Sequence, residues 1–225
     1  MQIIVLPGLD GDGNLAQPFC DALRGHSVTA LNYPDHLTSY ADLVPWVLAQ
    51  LPKGPVTLIA QSFSGPVAAQ LVQQQSAKID AVVYVATFAM RPRRIPKGAV
   101  RAARYLPITS GFMIKLMQPW ITGQWSDAAF LAQFSQSLSR VKSETLIARL
   151  RAVLSVDVRS HITHATVPSI YLRASCDRLV PRRASTAFSN VVTVEGPHFL
   201  LQTVPTEAAA VVADFLNTLS VDRAP

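Results

Sequence analysis

The sequence predicts an α/β protein, with a mostly parallel central sheet of about six strands flanked by helices and one helical insertion. Three observations predict it. Six short apolar runs rich in β-branched residues recur without polar–apolar alternation, as in strands covered on both faces. Helix-like stretches separate them, and strand alternating with helix indicates a parallel sheet. The alternation lapses between Phe88 and Thr166, where helix-like pieces occur and no strand-like run does.

The strand runs are Ile3 to Leu6, Val28 to Leu31, Val56 to Ile59, Val82 to Val85, Ser169 to Leu172 and Val191 to Val194. The helical stretches between them are Leu15 to Arg24, Tyr40 to Leu51, Phe63 to Gln75 and Arg182 to Phe188, with a last one from about Phe199 to Leu219. In the insertion, helical spacing links Met113, Leu116 and Met117, then Phe130, Leu131 and Phe134, then Leu146, Ile147, Leu150 and Leu154. Pro92, Pro96, Pro107 and Pro119 keep its first helices short. The expected division is a core of residues 1–87 and 161–225 and a helical cap of 88–160.

The 225 residues, 49% hydrophobic and only 15% charged, fit one globular domain with an insertion. A chain of this length buries roughly 70% of the surface its unfolded form exposes, enough for a core without staples. Two cysteines, Cys20 and Cys176, make neither a disulfide scaffold nor a thiolate zinc site, and Cys176 is expected to be a small buried filler. Met1 to Leu6 reads as a strand without the basic start of a signal peptide, and no apolar run reaches the roughly 18 residues of a membrane span. A cytoplasmic location is the expectation.

The strongest chemical signal is Ala60-Gln61-Ser62-Phe63-Ser64-Gly65, where a buried strand runs into a sharp turn and then a helix. A serine on such a turn stands exposed above the carboxyl ends of the strands, the arrangement of G-x-S-x-G. The turn crowds the backbones on either side, so the flanking residues must be small; here they are Ala60 and Ser64 rather than glycines. An ordinary serine-capped turn is the plainer alternative. The second signal is Pro7-Gly8-Leu9-Asp10-Gly11-Asp12-Gly13 after the first strand. Acyl transfer needs two backbone N–H groups aimed at the oxygen that becomes negative; Phe63, after the serine, and Leu9, in this loop, are the candidates. The glycine order does not match a dinucleotide fingerprint.

A nucleophilic serine needs a base, and the base an anion to orient it. His198, in Gly196-Pro197-His198, follows the last strand, and Asp177 follows the fifth, giving the order Ser, Asp, His. Asp157 is the weaker rival for the acid. His26, His36, His161 and His164 are expected to be exposed or locally bonded. No metal site is expected, because the His161–His164 pair lacks an accompanying Glu.

Together these residues resemble the α/β-hydrolase superfamily over essentially the whole chain. Pro7 departs from the histidine that many members carry before the oxyanion glycine, and two leading strands of the full sheet are missing, which implies a compact α/β-hydrolase core. Val156-Asp157-Val158-Arg159-Ser160, Val167-Pro168 and Asp177-Arg178-Leu179-Val180-Pro181 are similar to capped esterases that include the pimeloyl-acyl-carrier-protein methyl ester esterase of biotin synthesis. The resemblance implies a cofactor-free serine esterase with Ser62, His198 and Asp177 as its triad. It also implies a cap that meets an acyl carrier protein through basic side chains. A thioesterase, or a non-catalytic ligand-binding protein on the same scaffold, are the alternatives.

The net charge of +6 first suggests nucleic acid. Its position argues otherwise: Phe88 to Ser160 holds twelve basic residues and three acidic ones, and no stacking aromatics interleave the basic run. Arg91, Arg93, Arg94, Arg101 and Arg104 are the candidates to meet an acidic acyl donor. Phe112, Trp120, Trp125 and Phe134 are the candidates to line an acyl tunnel, although apolar residues at this spacing are also ordinary cap core.

Overall fold

A computed structural model describes residues 2–75, 78–96, 110–125 and 127–221. Its six strands are β1 (Gln2–Leu6), β2 (Ser27–Ala30), β3 (Val56–Gln61), β4 (Ile79–Val85), β5 (Ser169–Ala174) and β6 (Val191–Val194). They form one sheet in the order β2-β1-β3-β4-β5-β6, with every pairing parallel. All six lie where the β-branched runs predict strands.

Period-two geometry sorts the strand residues onto two faces. Ile4, Leu6, Leu58, Ala60, Val82 and Tyr84 pack on one side with α2 (Tyr40–Gln50) and α3 (Gly65–Gln75). Ile3, Val5, Ile59, Val83, Val85 and Leu172 pack on the other with α1 (Gln17–Ala22), α8 (Leu200–Thr203) and α9 (Pro205–Val221). Apolar residues on both faces are why these strands do not alternate in sequence.

Two expected helices take other forms. Arg182–Ala187 is a 3-10 helix rather than an α-helix. The last helix is broken at Val204: Pro205 has no N–H to continue the preceding turn, so α8 ends and α9 starts on the proline.

Between β4 and β5 the described residues form α4 (Gly111–Ile121), α5 (Ala128–Arg140), α6 (Ser143–Ser155) and α7 (Arg159–Thr163), with no strand of the sheet. Caps of the expected type start two of them: Ser110 accepts from Met113 N–H and Asp127 from Phe130 N–H. The chain enters and leaves this helical segment at one place, where Met90 and Asp157 form an isolated antiparallel bridge and Val158 N–H donates to the Ala89 carbonyl at 2.7 Å. Among the described residues no helix is long and apolar enough to cross a membrane.

Candidate active site

The chain moves from β1 outward to β2, then crosses back to β3 on β1's other side. That reversal opens a crevice at the carboxyl ends of β1 and β3, the place where open parallel sheets bind ligands. Leu6 is paired with Ala60, so the loop after β1 and the turn after β3 leave the sheet side by side.

Ser62 follows β3 with φ 49, a left-handed conformation that a non-glycine residue adopts at a cost of about 1–3 kcal/mol. Its surroundings hold it there. Thr87 donates its hydroxyl to the Ser62 carbonyl, and a Cβ on Gly65 would stand 2.0 Å from the Thr87 hydroxyl oxygen, so position 65 admits only glycine. Thr87 itself follows Ala86, which also has a positive φ, 46. The Phe63 ring is buried and stacks on Tyr40 with centroids 4.9 Å apart.

Ser64, the departure from a glycine in the motif, is fully buried and used. Its hydroxyl donates to the Pro7 carbonyl, so the 2.7 Å contact with Tyr33 must run from the Tyr33 O–H to Ser64. The serine therefore ties the turn to the loop after β1, a bond that glycine could not make.

His198 lies after β6 with its side chain 5% exposed. Its Nδ1 is 2.8 Å from Asp177 Oδ2 and its Nε2 is 2.8 Å from Ser62 Oγ. A carboxylate only accepts, so Nδ1 carries the proton, and Nε2 of the neutral ring is left to accept from the serine O–H. The other carboxylate oxygen, Asp177 Oδ1, accepts from the N–H groups of Leu179 and Val180, both at 2.8 Å. Asp157, the rival acid, is engaged elsewhere: it is exposed and paired with Arg159 at 2.6 Å, whose hydrogen bonds hold its carboxyl below the usual range. Next to the serine and histidine, Gln61 and Gln202 exchange two amide hydrogen bonds of 2.8 and 2.9 Å, linking β3 to α8.

Leu9 lies in the loop beside this cluster, and its N–H makes no hydrogen bond among the described residues. Phe63 N–H belongs to the first turn after the serine, where helical N–H groups have no intrahelical partner. Asp10, in the same loop, is buried, and burial followed by the neighbouring Asp12 pushes its carboxyl up to about 7. The folded protein thus binds this proton across a range where the unfolded chain, titrating near 4, has released it. Stability contributed by Asp10 is accordingly lost as pH rises from about 4 to about 7. Asp10→Asn, which can still accept the Gly11 N–H, is expected to gain stability over the wild type as pH rises from 4 to 8 and to match it near 4, as denaturant titrations at the two pH values will show.

The cap candidates scatter. Phe134 reaches the cluster through Phe199: it packs on Phe199 at 5.0 Å, and Phe199 stands edge-on to His198 at 5.5 Å. Trp125 is half-buried in a 3-10 turn after α4. Phe112 is 76% exposed, so its ring faces solvent rather than an enclosed tunnel. The Trp120 side chain, Arg101 and Arg104 lie outside the described residues. Arg91, Arg93, Arg94, Arg159 and Arg183, with Ala89 and Ala187, line a cavity of about 440 Å³ whose wall does not include Ser62. Arg93 is not a free cation there, because it donates to the carbonyls of Arg178 and Leu179 and so braces the Asp177 loop. Cys176 is exposed, not buried as expected: its backbone N–H is held by the Gly196 carbonyl in the loop after β5, outside the core.

A parallel sheet reversing at β1 and β3, with a serine on a left-handed turn at that crevice, defines an α/β-hydrolase fold. The chain belongs to the alpha/beta hydrolase family, whose profile matches residues 4–214. Solved structures of similar fold include a bromoperoxidase from Bacillus anthracis, with 16% identity, a TM-score of 0.83, and coverage of 96% of this chain and 91% of that one. An esterase from Exiguobacterium antarcticum is similar at 14% identity and a TM-score of 0.82, covering 96% and 92% of the two chains. The enol-lactonase from Burkholderia xenovorans LB400 is similar at 16% identity and 0.81, covering 96% and 91%. No curated protein matches the sequence.

Proposed function

We propose that the protein is a carboxylic ester hydrolase working through an acyl-enzyme. Ser62 attacks the acyl carbon while His198 Nε2 takes its proton, and Asp177 supports the imidazolium that forms. The tetrahedral oxyanion sits against the N–H groups of Leu9 and Phe63. His198 returns its proton to the leaving alkoxide, and water, deprotonated by the same ring, then cleaves the ester to Ser62. The observation that carries this reading is the unbroken line of hydrogen bonds from Asp177 through His198 to Ser62 Oγ, at 2.8 Å each. Two of the fold neighbours, an esterase and an enol-lactonase, agree with ester chemistry. The test is turnover of p-nitrophenyl esters of increasing acyl length. Hydrolysis with a length optimum is expected, and no turnover of any of them would leave a ligand-binding protein on this scaffold.

The substrate class we propose is an acyl group on an acidic carrier, met through the helical segment 88–160 acting as a cap. Supporting it are Arg91 and Arg94, exposed beside a cavity lined by five arginines. Such a surface speeds encounter with an anion, most at low salt. Arg91→Glu with Arg94→Glu is expected to slow hydrolysis of an acyl-carrier-protein ester several-fold while sparing p-nitrophenyl acetate; equal effects on both substrates count against a carrier.

A further inference from the structure

Among the described residues Arg149 is the largest side chain with no exposed surface, and it comes from α6, in a segment whose other described cations are exposed. Among the described residues it is in no salt bridge with a carboxylate. Its donors go to backbone carbonyls instead: Nε to Leu37 at 3.2 Å, Nη2 to Pro34 at 3.0 Å, and Nη1 to both Leu9 at 3.1 Å and Asp10 at 2.9 Å. Burying a guanidinium with no carboxylate in direct contact is costly even with Asp10, Asp35 and the face of Tyr33 at 5.9 Å to favour its charge, and an apolar side chain usually serves packing better, so this arrangement needs a reason beyond filling space.

The reason lies in the loop it grips. The Gly8 carbonyl is taken by Gly11 N–H at 3.1 Å, and the Leu9 and Asp10 carbonyls are taken by Arg149. In a trans peptide the N–H points opposite to the carbonyl, so fixing the Gly8 carbonyl and the peptide after it fixes the direction of the Leu9 N–H between them. All three acceptors are bound, whereas the Leu9 N–H has no hydrogen-bond partner among the described residues. Gly11 is shaped to the same contact: its φ is 82, and a Cβ there would stand 2.4 Å from Arg149 Nη1.

We infer that Arg149 is a positioning residue, holding the Leu9 N–H in place for the oxyanion of the tetrahedral intermediate. The inference rests on the ester-hydrolase reading of the Ser62 site. A guanidinium is suited to it because its rigid fork spans four carbonyls from two loops, whereas a lysine ammonium is a single point.

The experiment compares the wild type with Arg149→Lys and Arg149→Met on p-nitrophenyl acetate. It adds the inhibition constant of an alkyl trifluoromethyl ketone, whose adduct with a serine carries the oxyanion, and thermal melts to confirm folding. Loss of one oxyanion donor typically lowers kcat by roughly 10²–10³-fold. Folded Arg149→Lys is expected to lose about 10-fold or more in kcat with KM changed less than about twofold, and ketone affinity is expected to fall in step with kcat/KM. A merely structural role would lower the melting temperature and leave the ketone affinity per folded molecule unchanged. Should Arg149→Met fail to fold, Arg149→Lys, which keeps the charge and stem, decides alone. Folded variants with wild-type kcat and ketone affinity, or a loss confined to KM, would overturn the inference while leaving the ester-hydrolase reading intact. A wild type that hydrolyses no ester, or Ser62→Ala at full rate, would overturn both.

Discussion

Ser62→Ala is expected to keep the fold and to lose ester hydrolysis by roughly 10⁶-fold, the scale found when a nucleophile of this kind is removed from an otherwise intact site. The size follows from the geometry. Among the described residues His198 Nε2 has one hydroxyl within hydrogen-bond reach, Ser62 Oγ at 2.8 Å, and none of them places a second nucleophile to replace it. The fold should survive because the bonds that hold the turn do not use the Ser62 hydroxyl: Thr87 bonds its carbonyl and Ser64 bonds Pro7. An alanine at φ 49 bears the same backbone strain as the serine, so the melting temperature should stay close to the wild type's. Steady-state rates on p-nitrophenyl esters and a thermal melt check both halves. A folded Ser62→Ala at wild-type rate would remove the serine from the mechanism.

Asp177→Asn is expected to fold and to lose about 10⁴-fold in kcat, the scale seen when the orienting acid of such a triad becomes an amide. Two backbone N–H groups, those of Leu179 and Val180, point at Asp177 Oδ1 and will take the amide oxygen of an asparagine there. Its NH₂ is then turned to His198 Nδ1, where Oδ2 was. A donor facing Nδ1 makes that nitrogen an acceptor and moves the ring proton to Nε2. The base for Ser62 is thereby lost without any loss of packing. Arg93, on the carbonyls of Arg178 and Leu179, holds the loop in place in either case. An asparagine variant at near wild-type kcat would mean that the tautomer of His198 is set by something other than Asp177.

Much of this was legible in the residue order. β-Branched runs such as Val82 to Val85 mark a strand buried on both faces, and the small residues Ala60, Ser64 and Gly65 around Ser62 mark a tight turn, because each signal is local to its own element. Ser62, Asp177 and His198 could be singled out for the same reason, each falling just after a strand that the pattern makes plain. What could not be read is what depends on distant elements meeting. In the sequence Arg149 is one more cation of the insertion, and only the docking of α6 on the loops after β1 and β2 turns it into a buried clamp. Arg93, in sequence a candidate to meet an acidic acyl donor, is instead engaged by the carbonyls of the Asp177 loop. Tyr33, Ser64 and Pro7 form a chain across three segments whose spacing in sequence carries no signal. The break at Val204 was available, since Pro205 stands in the middle of the expected last helix.

If the acyl group passes through Ser62, the acyl-enzyme can be trapped there. The wild type is mixed with p-nitrophenyl acetate, quenched in acid within the first turnovers, and digested for peptide mass spectrometry. One acetyl group is expected, on Ser62, absent from Ser62→Ala and accumulating little in His198→Gln. Turnover with no adduct on Ser62, or with the acetyl group on Cys176 instead, would contradict it.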